Sequence, residues 1–113
     1  MVVILIRRFA RPDREAEFLR VFQAQAPIDN PDFFGETLTR ITDGRELPPE
    51  MPRLMNLDPD SINYLNVARW RSWEAFARQF AGPLAAPVGF APATETRRAE
   101  IVVLEAVGPA PGG

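Results

Sequence analysis

One predicted strand carries side chains that are able to hold a flat aromatic molecule. The segment 64–70 reads Tyr-Leu-Asn-Val-Ala-Arg-Trp, and strand alternation places every second residue on the same face. That face comprises Tyr64, Asn66, Ala68 and Trp70. Asn66 and Trp70 are roughly 13 Å apart along an extended backbone, about the span of a two- or three-ring molecule lying over Ala68. The segment therefore predicts a pocket wall with an amide, an indole and a phenol.

A helix is predicted immediately after this strand. Ser72 is a suitable N-cap, and Glu74 falls in the first turn, where an acidic residue is stabilising. Apolar residues then follow at helical spacing: Trp73, Phe76, Ala77 and Phe80. This spacing favours a core role for these side chains, and the Gly-Pro pair at 82–83 predicts the end of the helix.

The composition excludes several kinds of chemistry. The 113-residue chain has no Cys and no His, and each of its 13 basic residues is Arg. The protein therefore has no thiolate nucleophile, no imidazole base or metal ligand, and no lysine for a Schiff base or a phosphate-binding loop. Hydrolysis through an activated nucleophile has no evident machinery, no paired carboxylates are recognisable, and no metal site is predicted.

Charge and hydropathy give no sign of a nucleic-acid or membrane partner. The net charge is −2, and the longest apolar run, Val2 to Ile6, is far too short to span a bilayer. The length fits a single domain, which we place at residues 1–107, followed by a flexible tail at 108–113. We expect a cytoplasmic protein.

The order of the predicted elements indicates an α+β fold. Strands are predicted at 2–9, 36–42, 63–70 and 98–107, and helices at 13–26 and 72–81. Residues 84–94 are predicted to be irregular, with Val88-Gly89-Phe90 docked on the body. The order β-α-β-β-α-β is that of the ferredoxin-like fold, a four-stranded antiparallel sheet with both helices on one face. The first strand is apolar on both sides, which favours a central position.

The connection 43–61 is much longer than an ordinary hairpin loop, although it begins with the turn signal Asp43-Gly44. It contains apolar side chains that favour burial: Leu47, Met51, Leu54, Met55 and Leu57. We favour a lid or a dimer arm over a mobile loop, and the sequence does not distinguish a lid from an arm.

The ferredoxin-like arrangement leaves one sheet face without helices, and the strands are too apolar to face water there. Two copies that pack these faces together would bury them, so we expect a homodimer. Arg7, Arg8 and Arg40 are predicted to be solvated or to lie at this interface.

Several segments together resemble the antibiotic biosynthesis monooxygenases of the dimeric α+β barrel superfamily. The resemblance rests on the strand 64–70, on Ser-Trp-Glu-Ala-Phe at 72–76, and on Pro-Asp-Phe-Phe-Gly at 31–35. It covers nearly the whole chain apart from the long connection and the tail. It implies the fold more strongly than the reaction, because members of this family differ in their chemistry.

The resemblance also implies functional residues. Quinone-forming monooxygenases of aromatic polyketide pathways in this family hold a phenolic polycycle with an Asn and a Trp, without flavin or metal. Asn66 and Trp70 match these positions, which implies two catalytic residues, no cofactor, and a small aromatic substrate with O2. An Arg completes that site in the family, and Arg97 or Arg98 is the substitute here, of which we select Arg98. The haem-degrading branch needs an axial His, which this chain lacks.

Four neighbours of this pair are assigned as substrate contacts: Tyr64, Ala68, Trp73 and Phe76. A structural role competes with each functional one. Asn66 would otherwise bond to a loop carbonyl, and Trp70 would otherwise be core. Tyr64 is either a general acid or, as we favour, a ring in the cavity wall. Asp58 is predicted to form a turn.

Chemistry driven by the substrate itself is compatible with this composition. An electron-rich phenol or anthrone that loses a proton is able to reduce O2 directly, while the protein holds the ring, favours the anion and excludes water. We therefore favour a cofactor-free quinone-forming monooxygenase. The alternative is a non-catalytic dimeric barrel that binds a hydrophobic small molecule or assists a partner enzyme.

Overall fold

The described residues form one antiparallel sheet and two α-helices. The computed structural model describes residues 1–24, 28–42, 47–85 and 90–108. Its elements in chain order are strand β1 (Val2–Ala10), a 3-10 turn (Pro12–Arg14), helix α1 (Glu15–Gln23), strand β2 (Phe33–Arg40), strand β3 (Ile62–Trp70), helix α2 (Trp73–Ala85) and strand β4 (Glu100–Glu105). The sheet order is β2-β3-β1-β4 with antiparallel pairs throughout. This confirms the predicted ferredoxin-like α+β fold.

Strand β1 lies in the middle of the sheet, as predicted, and pairs with β3 on one side and β4 on the other. The register sets Ile4 opposite Ala68 and Ile6 opposite Asn66. Directly opposed residues of an antiparallel pair share a face. Ile4 and Ile6 are 0% and 4% exposed, so these side chains lie on the face that the helices cover.

The two helices cover this face with aromatic side chains. Phe18 of α1 packs against Tyr64, with ring centroids 5.0 Å apart. Phe76 of α2 lies edge-on to Trp70 at 5.8 Å. Fully burying a side chain of this size contributes roughly 1.5–3 kcal/mol, so these contacts are a main reason why both helices stay on one side of the sheet.

Helix α2 begins where the sequence predicted but ends later. Ser72 Oγ accepts a hydrogen bond from the Ala75 N–H at 3.2 Å, which is the expected N-cap. The helix then continues to Ala85, so the predicted stop at residues 82–83 is wrong. Proline removes one helical hydrogen bond and crowds the preceding turn. It disfavours a further turn of helix but does not forbid one.

The predicted core role of Trp73 is also wrong, because its side chain is 43% exposed. Trp73 is the first residue of α2, and its ring packs on Phe76 at 5.4 Å while it borders an open groove. Phe76, one turn further on, is 2% exposed and occupies the predicted core position. Helical spacing correctly identified the apolar face of α2. It does not indicate which residues of that face the sheet covers, and Trp73 at the start of the helix is only partly covered.

Strand β2 begins at Phe33 rather than at residue 36, and it ends at Arg40 rather than at residue 42. A register shift lies between Phe33 and Gly35, and Gly35 adopts φ +117°. Residues other than glycine rarely adopt this conformation. The irregularity shifts the alternation of the strand, which explains why the period of two predicted β2 poorly.

Two further elements differ from their predicted bounds, and three predicted segments lie outside the described residues. Helix α1 ends at Gln23 and strand β4 covers Glu100–Glu105, so both are shorter than predicted. The predicted turn at 43–44, the docking of 88–89 and the tail after residue 108 lie outside the described residues.

The side chain of Asn63 ties the connection between β2 and β3 to the sheet. Its Oδ1 accepts hydrogen bonds from the Asp58 N–H and the Arg7 guanidinium, both at 3.0 Å. Its Nδ2 donates to the carbonyls of Asp58 and Ser61 at 3.0 and 3.1 Å. Asp58 accepts hydrogen bonds from Asp60 and Ser61, as predicted for a turn residue. Arg7 is only 17% exposed and is not a solvated charge.

The sheet face opposite the helices exposes apolar side chains on β4. Val102 and Leu104 on this face are 49% and 45% exposed. Leu54, in the connection before β3, is 93% exposed. Exposed aliphatic side chains that are contiguous on one face are typical of an interaction surface. Within the described residues, neither helix combines the length and apolar character that crossing a membrane requires.

The two aromatic residues at the start of α2 provide a test of the core. Phe76→Ala is expected to lower the free energy of unfolding by about 3–5 kcal/mol, as is typical when a buried Phe is truncated. Trp73→Ala is expected to cost a small part of that, because Trp73 is 43% exposed. Urea denaturation followed by circular dichroism measures both. Equal losses in the two variants would contradict the assignment of Phe76 to the core.

Candidate active site

Asn66 lies in the middle of β3 and is 2% exposed. Its Nδ2 donates to Glu36 Oε2 on the neighbouring strand at 3.1 Å. Its Oδ1 is buried and has no hydrogen-bond partner in the described part of the chain. A buried acceptor without a partner costs about 1–3 kcal/mol. The amide is therefore only half satisfied by the protein, and its free oxygen is able to accept a hydrogen bond from a ligand.

Trp70 lies four residues further along the same face and is 1% exposed. Its ring is surrounded by aromatic side chains, with centroids at 5.0 Å from Phe33, 5.8 Å from Phe76 and 6.0 Å from Phe80. Aromatic contacts of this kind add roughly 0.5–1.5 kcal/mol per pair beyond area burial. Trp70 is thus the centre of an aromatic cluster between the sheet and α2.

Ala68 and Phe76 belong to the same buried cluster as Trp70. Both are 2% exposed, and Ala75 of α2 packs with them. Helix α2 thus covers the side of Ala68 where the sequence predicted a ligand ring. Asn66 is a polar residue of this face, two positions before Ala68, and it is not a member of the aromatic cluster.

Tyr64 is 3% exposed, and its hydroxyl is held by a charged pair. The hydroxyl donates to Glu15 Oε2 at 2.6 Å, and Arg40 lies 2.8 Å from the same carboxylate oxygen. Burial and the hydrogen bond to Glu15 raise the pKa of Tyr64. The phenol therefore stays protonated, and its proton is already donated to Glu15, which disfavours a role as a general acid. Arg40 is 56% exposed, which agrees with the predicted solvated charge, and it also pairs with Glu15.

Arg8 was predicted to be solvated or at the dimer interface, and the structure places it instead on the helix-covered face opposite Tyr64. Its guanidinium lies 5.8 Å from the Phe22 ring of α1, and its Nε is buried without a partner in the described part of the chain. Burial lowers the pKa of Arg8, and the charges of Glu95 and Glu36 oppose that shift. Arg8 is thus a desolvated cation close to two carboxylates.

Glu95 is the second residue that sequence reasoning missed. It lies in a segment predicted to follow an irregular stretch, and it forms an isolated bridge to Ala10 at the end of β1. The side chain is 5% exposed, and burial raises its pKa although Arg8 and the Ala91 N–H oppose the shift. No local pattern marks Glu95, because its burial results from β1 and not from its neighbours in sequence.

The predicted Arg98 is exposed, just before β4. Arg97, the other candidate, stacks its guanidinium over the Phe9 ring at 4.5 Å and lies 3.7 Å from Glu100. Phe9 points to the face opposite Asn66, since odd and even residues of β1 alternate. The structure therefore brings Arg8, rather than Arg97, to the face that carries Asn66.

Two concave regions lie away from Asn66. A groove of about 420 Å³ beside the start of α2 is lined by Met1, Val2, Arg71, Ser72, Trp73, Glu74, Val103, Glu105 and Ala106. An apolar pocket of about 250 Å³ lies between the segment 47–57 and the end of β2, with Leu65 in its wall. Neither is lined by Asn66 or Trp70.

Comparison with known proteins bears on the fold. No family profile matches the sequence, and a search of curated proteins finds no match. Among solved structures, a mutant of MhuD, a heme-degrader from Mycobacterium tuberculosis, is 24% identical with a TM-score of 0.65 over 100% of both chains; it has two manganese protoporphyrin IX molecules bound per active site. An antibiotic biosynthesis monooxygenase is 13% identical with a TM-score of 0.52, over 96% of this chain and 100% of that one.

SnoaB, a cofactor-independent oxygenase from Streptomyces nogalater, is 24% identical with a TM-score of 0.50, over 97% of this chain and 96% of that one. These similarities confirm that the chain has the fold of the antibiotic biosynthesis monooxygenases, as the sequence predicted.

The single tyrosine of the chain makes the Tyr64 environment directly measurable. We expect Tyr64 in the folded protein to ionise at higher pH than in the urea-unfolded chain, because burial and Glu15 disfavour the phenolate. The stabilisation that this pKa shift gives the folded state is complete below the pKa of Tyr64 in the unfolded chain, which is about 10. It is lost as the pH rises through the pKa of Tyr64 in the folded protein. Tyrosinate absorbance in both states measures the two pKa values.

Glu15→Gln serves as the control, since it keeps a hydrogen-bond acceptor and removes the negative charge. The Tyr64 pKa is expected to fall in this variant. A folded-state pKa at or below that of the unfolded chain would contradict the arrangement.

Proposed function

We propose that the protein is a cofactor-independent monooxygenase that oxidises a polycyclic phenol or anthrone to a quinone with O2, in aromatic polyketide and hence antibiotic biosynthesis. The observation that carries this proposal is the half-satisfied amide of Asn66, 2% exposed beside the aromatic cluster of Trp70. A phenolic hydroxyl is able to donate to Asn66 Oδ1 while the ring contacts apolar side chains. The fold shared with SnoaB is consistent with this function.

The proposed reaction uses electrons from the substrate. Loss of a proton turns an anthrone into an enolate that reduces O2, with overall conversion of one CH2 group and O2 into a carbonyl and water. The contributions of the protein are to hold the ring, to favour the anion and to exclude bulk water. Arg8 supplies a desolvated positive charge on the same face as Asn66. We therefore place the oxygen-bearing end of the substrate between these residues.

Haem degradation fits this chain less well, although MhuD shares the fold. Iron in a haem takes an axial ligand such as His, Cys, Met or Tyr from the protein. The chain has no His and no Cys. Tyr64 is the single tyrosine, and its hydroxyl donates to Glu15 at 2.6 Å beside Arg40. The three Met residues, Met1, Met51 and Met55, lie at the start of the chain and in the connection before β3, outside the cluster of Trp70. The described residues thus do not form a recognisable haem-iron site beside Asn66 and Trp70.

A non-catalytic barrel that binds a hydrophobic molecule, or that assists a partner enzyme, is the competing function. The close packing of Trp70 and Ala68 against α2 favours it, because the two side chains are 1% and 2% exposed and pack with Phe76 in one cluster. Oxygen uptake on addition of an anthrone to the protein without added cofactor separates the two functions. Uptake supports the monooxygenase, and binding without uptake supports the barrel.

Asn66→Ala is expected to lower turnover on the order of a hundredfold, because loss of the Oδ1 acceptor removes the hydrogen bond that orients the phenol, and a substrate misplaced by about 1 Å loses about that much rate. The matched control is Asn63→Ala on the same strand. Asn63 is 5% exposed, but it points to the other face and bonds to the connection before β3. This control is expected to lose stability and to keep its turnover per folded molecule in an oxygen-electrode assay.

Trp70→Phe belongs to the same experiment and retains most of the ring area while it deletes the indole N–H. A drop in turnover with normal substrate affinity assigns a catalytic hydrogen bond to Trp70. Parent-like kinetics assigns Trp70 to the core. If Asn66→Ala also keeps full activity on every substrate of the parent, the proposed site is wrong.

We also propose a homodimer formed by the two helix-free sheet faces. Val102 and Leu104 are about half exposed on this face, and the 93% exposure of Leu54 is consistent with a dimer arm. The interface would cover an apolar surface that a single chain leaves in water.

Leu104→Glu is expected to convert the parent dimer into a 12.6 kDa monomer at micromolar concentration, because a two-fold interface would bury the new charge in both copies. Val103→Glu is the matched control: Val103 is 39% exposed on the same strand but points to the helix side. Light scattering measures the masses. A monomeric parent contradicts the proposal, and so does a Val103→Glu variant that dissociates as readily.

A further inference from the structure

Glu95 is a buried carboxylate for which the proposed reaction as described above has no role. Its Oε1 accepts a hydrogen bond from the Ala91 N–H at 3.0 Å, which closes the turn before it. Its Oε2 is buried and has no partner in the described part of the chain. A glutamine, or any side chain with one acceptor oxygen at this position, would accept the hydrogen bond from the Ala91 N–H equally well. The second oxygen therefore needs another explanation, because an unpaired buried oxygen is costly.

The sheet places this carboxylate on the face that holds Asn66. Glu95 bridges Ala10, which is 0% exposed and packs with Phe18 and Tyr64 beneath α1. Arg8 precedes Ala10 by two residues and so points to the same side. The charge of Arg8 acts on Glu95 and on the Glu36 side chain that binds Asn66. One row of polar groups thus runs beneath the helices from Glu95 through Arg8 to Asn66.

This row has the groups that proton removal from an anthrone requires. A base is needed that is shielded from water, near a fixed positive charge that stabilises the resulting anion. The chain has no His, Lys or Cys to serve, and the hydroxyl of Tyr64 is engaged by Glu15. A carboxylate whose pKa is raised by burial is a stronger base than an exposed one.

We propose that Glu95 Oε2 accepts the proton from the substrate in this reaction, an inference that rests on the proposed oxygenase function. A ring C–H bond breaks, an O–H bond forms on Glu95, and the electron pair remains on the substrate as an enolate that Arg8 stabilises. The enolate reduces O2 and forms a carbon–oxygen bond to a peroxide anion, which takes the proton back from Glu95. The carbon that carries the hydroperoxide then loses its remaining hydrogen as the O–O bond breaks. The products are the carbonyl and water.

The test separates proton transfer from oxygen chemistry. Dithranol, a dihydroxyanthrone, is added to the full chain under strictly anaerobic conditions at neutral pH, and enolate absorbance is recorded. The parent is expected to form bound enolate. Glu95→Gln keeps the acceptor for the Ala91 N–H and removes the base, so we expect dithranol to bind with at least tenfold less enolate. Glu50→Gln, at an exposed position in the connection before β3, is the control and is expected to match the parent.

Infrared difference spectroscopy on the parent adds a measurement that needs no variant. Dithranol binding is expected to produce one new protonated-carboxyl band, and absence of this band overturns the proposal even if Glu95→Gln fails to fold. Equal enolate in the parent and in a folded Glu95→Gln variant, or no enolate in the parent, also overturns it. Enolate that depends on Glu95 but consumes no oxygen when air is admitted supports the role of Glu95 and overturns the oxygenase function.

Discussion

The antiparallel pairing of β1 with β3 is the constraint on which the candidate site depends. It sets Ile6 opposite Asn66 and Arg8 opposite Tyr64, so apolar and polar side chains share one row beneath the helices. Side chains of a strand alternate between faces, and a slip by one residue would move this whole row to the other side of the sheet. Burial of Ile6 at 4% exposure therefore fixes the position of Asn66 and Arg8 as well.

Two buried asparagines on β3 differ in how completely the protein satisfies them. Asn63 makes two donor and two acceptor contacts and holds the connection before β3 in place. Among the described residues, the side chain of Asn66 bonds to Glu36 alone, and its oxygen has no partner there. Complete networks add rigidity, whereas incomplete ones cost stability. A fold that leaves a gap at Asn66 and another at Glu95 is consistent with a functional reason for both.

The absence of His, Lys and Cys concentrates any acid–base chemistry on carboxylates. Several carboxylates of the described chain are in ion pairs near solvent, such as Glu15 with Arg40 and Asp32 with Arg71. Glu95 differs because it is 5% exposed and one of its oxygens has no partner within the ranges that the structure describes. Side chains of this kind move protons but do not supply electrons. In the proposed function, the electrons for the oxidation therefore come from the substrate.

The sequence by itself determined the order of the elements, the buried face of β3 and the N-cap of α2, because periodicity and capping act over a few residues. It also determined which catalytic groups are missing. Only the tertiary structure decided the partners of Asn66 and the burial of Arg8 and Glu95. Asn66 and Glu36 are 30 residues apart in sequence, and Glu95 meets Ala10 across the sheet. Such contacts depend on strand register and on the end of the sheet, and no local pattern encodes either of them.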